Sequence, residues 1–326
     1  MWIFLMLICA AEPVPVPALK TLDEIRIRDP FVLPVKETGV YYLYGTGWPL
    51  GEPGFDAYKS RDLEHWEGPF PVFRSDKDYW GQKDFWAPEV HPYKGRYYMF
   101  ATFSPKSDGY RGTAILVADR PEGPFVPHSE GPVTPPDWAT LDGTLFIDDE
   151  AQPWMVFCHE WEQIGDGAIC AVRLSEDLAQ SEGAPATLFH ASAAAWVNGA
   201  EFGNRKGLIT DGPWLHRNQD GSLLMLWSSF GKDRQYMTAT ARSASGKIIG
   251  PWEVSSSAIF EKDGGHAMLF QSFEGTQVLS IHQPNGKPKE RAKFFTVDFS
   301  NNEIRLKAPL LSGITGSRQK EVISLP

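Results

Sequence analysis

Cysteine is nearly absent: three residues in 326, of which Cys9 lies in the apolar opening segment, leaving Cys158 and Cys170. That number excludes a disulfide framework, and no Cys/His spacing of the metal-module type occurs. Runs of basic residues are also missing. The chain has 31 Lys and Arg against 41 Asp and Glu, a net charge of −10, with no cluster that could track phosphates. This argues against nucleic acid and against an anionic membrane as partners. After the first residues no apolar run reaches the length of a transmembrane helix. No stretch holds a 3.6-residue apolar period long enough to read as a helix either.

Aromatics and turn formers are plentiful instead. There are 12 Trp, 10 Tyr and 20 Phe, and Gly and Pro together make 56 residues, a mixture suited to a turn-rich β-protein with surfaces that can stack on sugar rings. The opening "MWIFLMLICAAEPVPVPALK" has an apolar run over residues 2–11 that is too short to span a bilayer and ends in small residues. Residues 1–11 are read as a secretory signal peptide, although no Lys or Arg precedes the run. Residues 12–326 are read as one domain, exported to the periplasm or the medium.

Short apolar or alternating runs recur between turn signals: "GVYYLYGTG", "RYYMFATFS", "TAILVADR", "PWMVFCHE", "AICAVRL", "SLLMLWSS", "YMTATARS", "GTQVLSIH" and "AKFFTVDFS". These are strands by length, composition and bounding residues. Two of them hold the remaining cysteines on either side of "QIGDG", each six residues from Ile164. The spacing places Cys158 and Cys170 opposite one another in a hairpin, either bridged or as two buried thiols on one strand face.

A longer period overlies the strands. "RDPFVL", "WAPEVH", "LDGTLF", "TDGPWL" and "GGHAML" each put a tight turn before an apolar strand, and the markers Asp29, Trp86, Asp142, Asp211 and His266 are 57, 56, 69 and 55 residues apart. Gly-Pro-aromatic turns in "HWEGPFPVF", "RPEGPFVPH" and "IIGPWEVSS" repeat the step, with 55 residues from Gly68 to Gly123. A unit of this length holds about four strands, and such units in series form a β-propeller. The expected fold is all-β, a five-bladed propeller with about four antiparallel strands per blade.

In a propeller the starts of the inner strands meet on the axis. Asp29, Asp142 and Asp211 share this register in blades one, three and four, with Glu89 just past it in blade two and His266 at it in blade five. Gathered acids repel and desolvate one another, so such clusters are kept for cation binding or proton chemistry. Three carboxylates in an aromatic-lined pocket suit glycoside hydrolysis, which needs a proton donor and a carboxylate that activates water or attacks carbon. Trp86, Phe31, Trp48 and Trp214 are candidate sugar-binding residues with Glu89, and Phe85 is a further aromatic at the same strand.

The elements "IRIRDPFVL", "FWAPEVHPYKGRYYMFAT", "LDGTLFIDDEAQPWMVF", "TDGPWLHR" and "GGHAMLF" resemble glycoside hydrolase family 43 in order and spacing, from about Ile25 to the end. The resemblance implies an inverting glycosidase acting on an oligo- or polysaccharide. Asp29 would be the general base, Asp142 the carboxylate that orients the acid and tunes its pKa, and the blade-four acid the proton donor. In blade four this chain has Asp211-Gly212-Pro213 where the family usually has Glu-Gly-Pro, so the donor is one methylene short and Glu201 becomes the alternative acid. The resemblance also implies that His266 faces the axis and contacts a structural Ca²⁺ or Na⁺ through water, with no cofactor required for chemistry. The reading favoured is an exo-acting α-L-arabinofuranosidase. A β-xylosidase, a galactofuranosidase, a retaining fructosidase-type enzyme and a non-catalytic sugar-binding propeller are the alternatives.

Overall fold

The chain folds as a β-propeller of five four-stranded antiparallel sheets, each taking four consecutive strands in order from axis to rim. The computed structural model describes residues 18–47, 50–202, 205–300 and 303–310. The segment read as a signal peptide and Trp48 lie outside these residues. The inner strands are Arg28–Val35, Gly81–Tyr93, Thr140–Ile147, Asp211–Arg217 and Gly265–Gln271. Their partners are Val40–Thr46, Arg96–Pro105, Pro153–His159, Leu223–Phe230 and Gln277–Gln283.

The runs "YYLY", "MVFC" and "LLMLW" are continuous rather than alternating because these second strands are buried on both faces between neighbouring blades. Separate apolar cores fill the gaps: Met225 and Trp227 pack with Val156 and Cys158 between blades three and four, and Phe100 and Ile115 pack with Met155 and Phe157 between blades two and three. Outer strands such as Glu253–Phe260 keep polar residues facing water. Helix among the described residues is limited to the single turn Trp161–Ile164 and three short 3₁₀ turns. None is long and apolar enough to cross a membrane.

The long 69-residue step has a simple cause. A two-stranded ribbon, Ala200–Phe202 with Arg205–Gly207, is inserted between blades three and four.

The cysteine expectation is corrected. Cys158 pairs with Ile169, and Cys170 with Phe157. The hairpin centre is shifted by half a residue from Ile164, and a one-residue change of register sends a side chain to the other face. Cys158 therefore faces blade four and Cys170 faces blade two; both are buried free thiols on opposite faces of the sheet.

Blade one is built entirely from the N-terminal strands and blade five entirely from the C-terminal ones, so no strand is shared across the seam where the ring closes. Noncovalent contacts bridge it instead. Ser280 Oγ donates to the Pro30 carbonyl at 3.0 Å, the Phe273 N–H donates to the Tyr41 hydroxyl at 2.7 Å, and those two rings stack at 4.0 Å. The leading segment straps both blades: Lys20 pairs with Trp66 of blade one, Arg26 bridges to Arg291 of blade five, and Asp23 binds Lys293 at 2.6 Å.

Candidate active site

Every inner strand carries the same bulge. Arg28 pairs with Thr46, but the next pair is Phe31 with Tyr44, so two inner-strand residues oppose one. The pattern recurs at Trp86 and Thr102, Leu141 and Cys158, Asp211 and Ser228, and Gly265 and His282. In each case the following residue is left-handed: Asp29 (φ 51°), Ala87 (45°), Asp142 (57°), Gly212 (52°) and His266 (54°). This revises the expected register. Asp29, Asp142 and His266 are equivalent, but blade four contributes Gly212 at that position and blade two contributes Ala87. Asp211 stands one residue earlier, in step with Arg28 and Trp86, so its carboxylate enters the site from a different backbone position.

The bulges are held by a ring of side chains on the second strands. Thr46 Oγ1 accepts the N–H of Ala87 at 2.8 Å, Thr102 Oγ1 that of Asp142 at 2.9 Å, Ser228 Oγ that of His266 at 2.9 Å, and His282 Nδ1 that of Asp29 at 3.2 Å. Cys158 holds the fifth place, and a thiol is a weak acceptor. There the Gly212 N–H donates to Asp142 Oδ2 instead, at 3.0 Å, tying the acid of blade three to the turn of blade four.

Gly212 is required twice over. Its φ is left-handed, and a Cβ would lie 2.8 Å from His266 Cγ and 3.0 Å from His266 Cα. Gly212→Ala is expected to cost about 1–3 kcal/mol and to lower activity by displacing His266. Thermal melts alongside initial rates test this, and an unchanged melting temperature would contradict it.

Asp29, Asp142 and Asp211 converge on one pocket of 640 Å³, together with His266, Tyr236, Arg28, Trp86, Arg111 and Glu160. His266 Nδ1 lies 3.3 Å from Asp29 Oδ1 and 3.7 Å from Asp142 Oδ2. Burial opposes its charge, but the surrounding carboxylates outweigh burial and raise its pKa. Burial would also raise Asp29, yet His266, Arg28 and the Thr46 hydroxyl, 2.6 Å from Oδ2, hold it down at about 2. Asp142 goes the other way. Burial, with the charges of Asp211 and Asp29, lifts it to about 7 against the pull of His266 and the Gly212 N–H. Burial likewise raises Asp211, while His266 and the Tyr236 hydroxyl, donating to Oδ2 at 3.0 Å, restrain it. One carboxylate is held ionised beside two that favour their protons. His282, buried and accepting from Asp29, is lowered to about 3 by that burial and is neutral.

The remaining candidates divide. Trp86 lines the pocket, with the Arg111 guanidinium 5.0 Å from its ring centroid covering one face. Glu89 is buried and paired with His91 Nε2 at 3.0 Å. Phe31 packs edge-on against His91, Phe85 sits in the aromatic core with Phe55 and Phe103, and Trp214 stacks toward His216. None of these four lines the pocket. Glu201 is on the inserted ribbon, its side chain 61% exposed and 3.4 Å from Lys206. It is not brought to the pocket.

Sequence reading missed Arg28, although it adjoins Asp29 in the quoted "RDP" element. It also missed Arg111, just before a third strand, Glu160, just after a second strand, and Tyr236, at the start of a third strand, none of which carries a motif. Glu160 is buried, bonded to Arg111 Nη1 at 2.8 Å, and burial still lifts it to about 8. Among the described residues no three His, Cys, Asp or Glu side chains converge as metal ligands would. The basic side chains beside Asp29 are His266, His282 and Arg28.

A family model described as Glycosyl hydrolases family 43 matches residues 22–297. A crystal structure of an endo-arabinase from Bacteroides thetaiotaomicron VPI-5482 is 42% identical with a TM-score of 0.84, covering 88% of this chain and 100% of that one. The extracellular exo-alpha-(1->5)-L-arabinofuranosidase ArbA of Cellvibrio japonicus (strain Ueda107) is 23% identical over 170 residues, 48% of this chain and 45% of that enzyme. Xylosidase/arabinosidase 43A of Humicola insolens is 33% identical over 82 residues, 25% of this chain and 24% of that enzyme. The aligned stretches span less than half of each of these last two relatives.

Proposed function

Because the chain belongs to glycosyl hydrolases family 43, we propose that it is an inverting, exo-acting glycosidase that removes terminal α-L-arabinofuranosyl units from an oligo- or polysaccharide. One observation carries the reading: a single pocket holds an aspartate kept ionised, Asp29, beside an aspartate pushed toward its protonated form, Asp211. Divergent environments of this kind assign base and acid.

Asp29 accepts a proton from the attacking water as the water's oxygen bonds to the anomeric carbon. Asp211 gives its proton to the departing glycosidic oxygen, and the bond to that oxygen breaks. Asp142 accepts the Gly212 N–H, so its position holds the turn that carries the acid, and the repulsion between its carboxylate and that of Asp211 favours retention of a proton by the pair. Tyr236 orients Asp211 by its hydrogen bond. His266 and Arg28 keep the base ionised. Export would rest on residues 1–11.

A second reading, cleavage within a chain rather than at its end, is favoured by one observation: the pocket adjoins a further hollow through the shared residues Arg111 and Glu162. The named activity of the Bacteroides relative is of the endo type.

One measurement tests inversion and a second separates cleavage at the end of a chain from cleavage within it. NMR of the first-formed product should show the anomer opposite to that of the substrate, whereas retention would make Asp29 a nucleophile. From the linear arabino-hexasaccharide the early products should be arabinose and the pentasaccharide. Di-, tri- and tetrasaccharides appearing first would establish internal cleavage.

A further inference from the structure

Beside the pocket, over blades two and three, lies a second hollow of 480 Å³ lined by Ser104, Tyr110, Arg111, Glu162, Gln163 and Arg205, among others. Arg111 and Glu162 line both spaces. The ridge between them is a chain of ion pairs: Glu160 Oε2 is 2.8 Å from Arg111 Nη1, Glu162 Oε2 is 3.5 Å from Arg111 Nη2, and Glu162 Oε2 is 2.9 Å from Arg205 Nη1. Both arginines are engaged by glutamates, and the ridge presents many hydrogen-bonding groups at fixed positions.

Tyr110 stands over this hollow. The residue is 50% exposed, and it is the only aromatic among the exposed large apolar residues of the described part of the chain. Most other aromatics of the described residues pack in the cores. An exposed ring beside hydrogen-bonding walls, whose Arg111 and Arg205 are already engaged by Glu162, matches a neutral sugar, whose C–H face stacks on the ring while its hydroxyls meet the polar groups.

We propose that this hollow is a distal subsite for further neutral sugar units of the substrate chain, with Tyr110 as its stacking platform. The proposal rests on the glycosidase reading for its substrate and on the continuity of the two cavities for its place. The occupant is the sugar chain leading away from the cleaved bond, since the hollow and the cavity holding the three aspartates adjoin at Arg111 and Glu162. A uronate-bearing chain is disfavoured, because its carboxylate would have to displace Glu162 from its two arginines.

The test compares kcat/KM for an aryl arabinofuranoside and for linear arabino-oligosaccharides of two to six units, in the parent, Tyr110→Ala and Tyr110→Trp. In the parent, kcat/KM should climb with chain length beyond the disaccharide. Tyr110→Ala should lose roughly three- to tenfold on the longer chains, with little change on the aryl glycoside, and Tyr110→Trp should keep the chain-length gain. Should the parent hydrolyse none of these, the glycosidase reading fails while the subsite is still measurable. Calorimetric titration with the hexasaccharide should then give weaker binding in Tyr110→Ala than in the parent. An equal loss on aryl and long substrates, or no loss in either rate or binding, overturns the proposal.

Discussion

Asp29→Ala should lower kcat by roughly 10²–10⁴-fold, the range supplied by a positioned general base, while sugar affinity stays within a few-fold of the parent. The residue has no substitute within the site. Asp142 and Asp211 are both pushed toward their protonated forms and cannot take a proton from water as readily. Initial rates with calorimetric titration of the sugar decide it, and substantial residual turnover would remove Asp29 from the role. The parent's pH profile carries a linked expectation. A base must be ionised, and Asp29 is held at about 2 against an ordinary value of 3.8. The acid limb of kcat/KM should therefore lie below the usual carboxylate range, with activity lost only as pH falls toward 2.

The second large effect is at Asp211, and it should depend on the leaving group. An activated aryl group departs without a proton, whereas a sugar alkoxide does not. Asp211→Asn should cut hydrolysis of a sugar-sugar bond by about 10²-fold or more and that of a nitrophenyl glycoside far less. Glu201→Gln should leave both near the parent, since that carboxylate is exposed and paired with Lys206 on the ribbon. Equal losses on the two substrates in Asp211→Asn, with the asymmetry transferred to Glu201→Gln, would give the donor's role to Glu201. No turnover by the unmutated protein, with measurable sugar binding, would favour a binding propeller.

The architecture was legible because each inner strand is announced by a turn, and because nearly equal spacing has one economical solution in a ring of blades. What spacing could not resolve was the register within each turn. Asp211 looked equivalent to Asp29 and Asp142 because all three are acids before an inner strand. The bulge, which requires a left-handed residue just before Pro30, Pro88 and Pro213, selects Asp29, Ala87 and Gly212. Aligning the prolines rather than the acids would have found it.

The cysteine pairing failed for a related reason: a helical turn at Trp161–Ile164 fixes a hairpin centre that counting residues misses. Of the aromatics proposed for sugar, Trp86 reaches the pocket, and Phe31 and Trp214 are consumed by packing. Composition records how many rings a chain has, not which side of a sheet they face. Arg111, Glu160 and Tyr236 were invisible because their proximity exists only after three blades have assembled.

The seam between the first and last blades makes catalysis a reporter of ring closure. Asp29 belongs to blade one, yet its backbone is held by His282 and its charge by His266, both of blade five. Parting the ring at this junction would strip the base of both partners while leaving the three middle blades and their interfacial cores in place. Loss of function on heating or in denaturant would then run ahead of the loss of strand structure, and the leading strap from Lys20 to Arg26 would govern the interval between them.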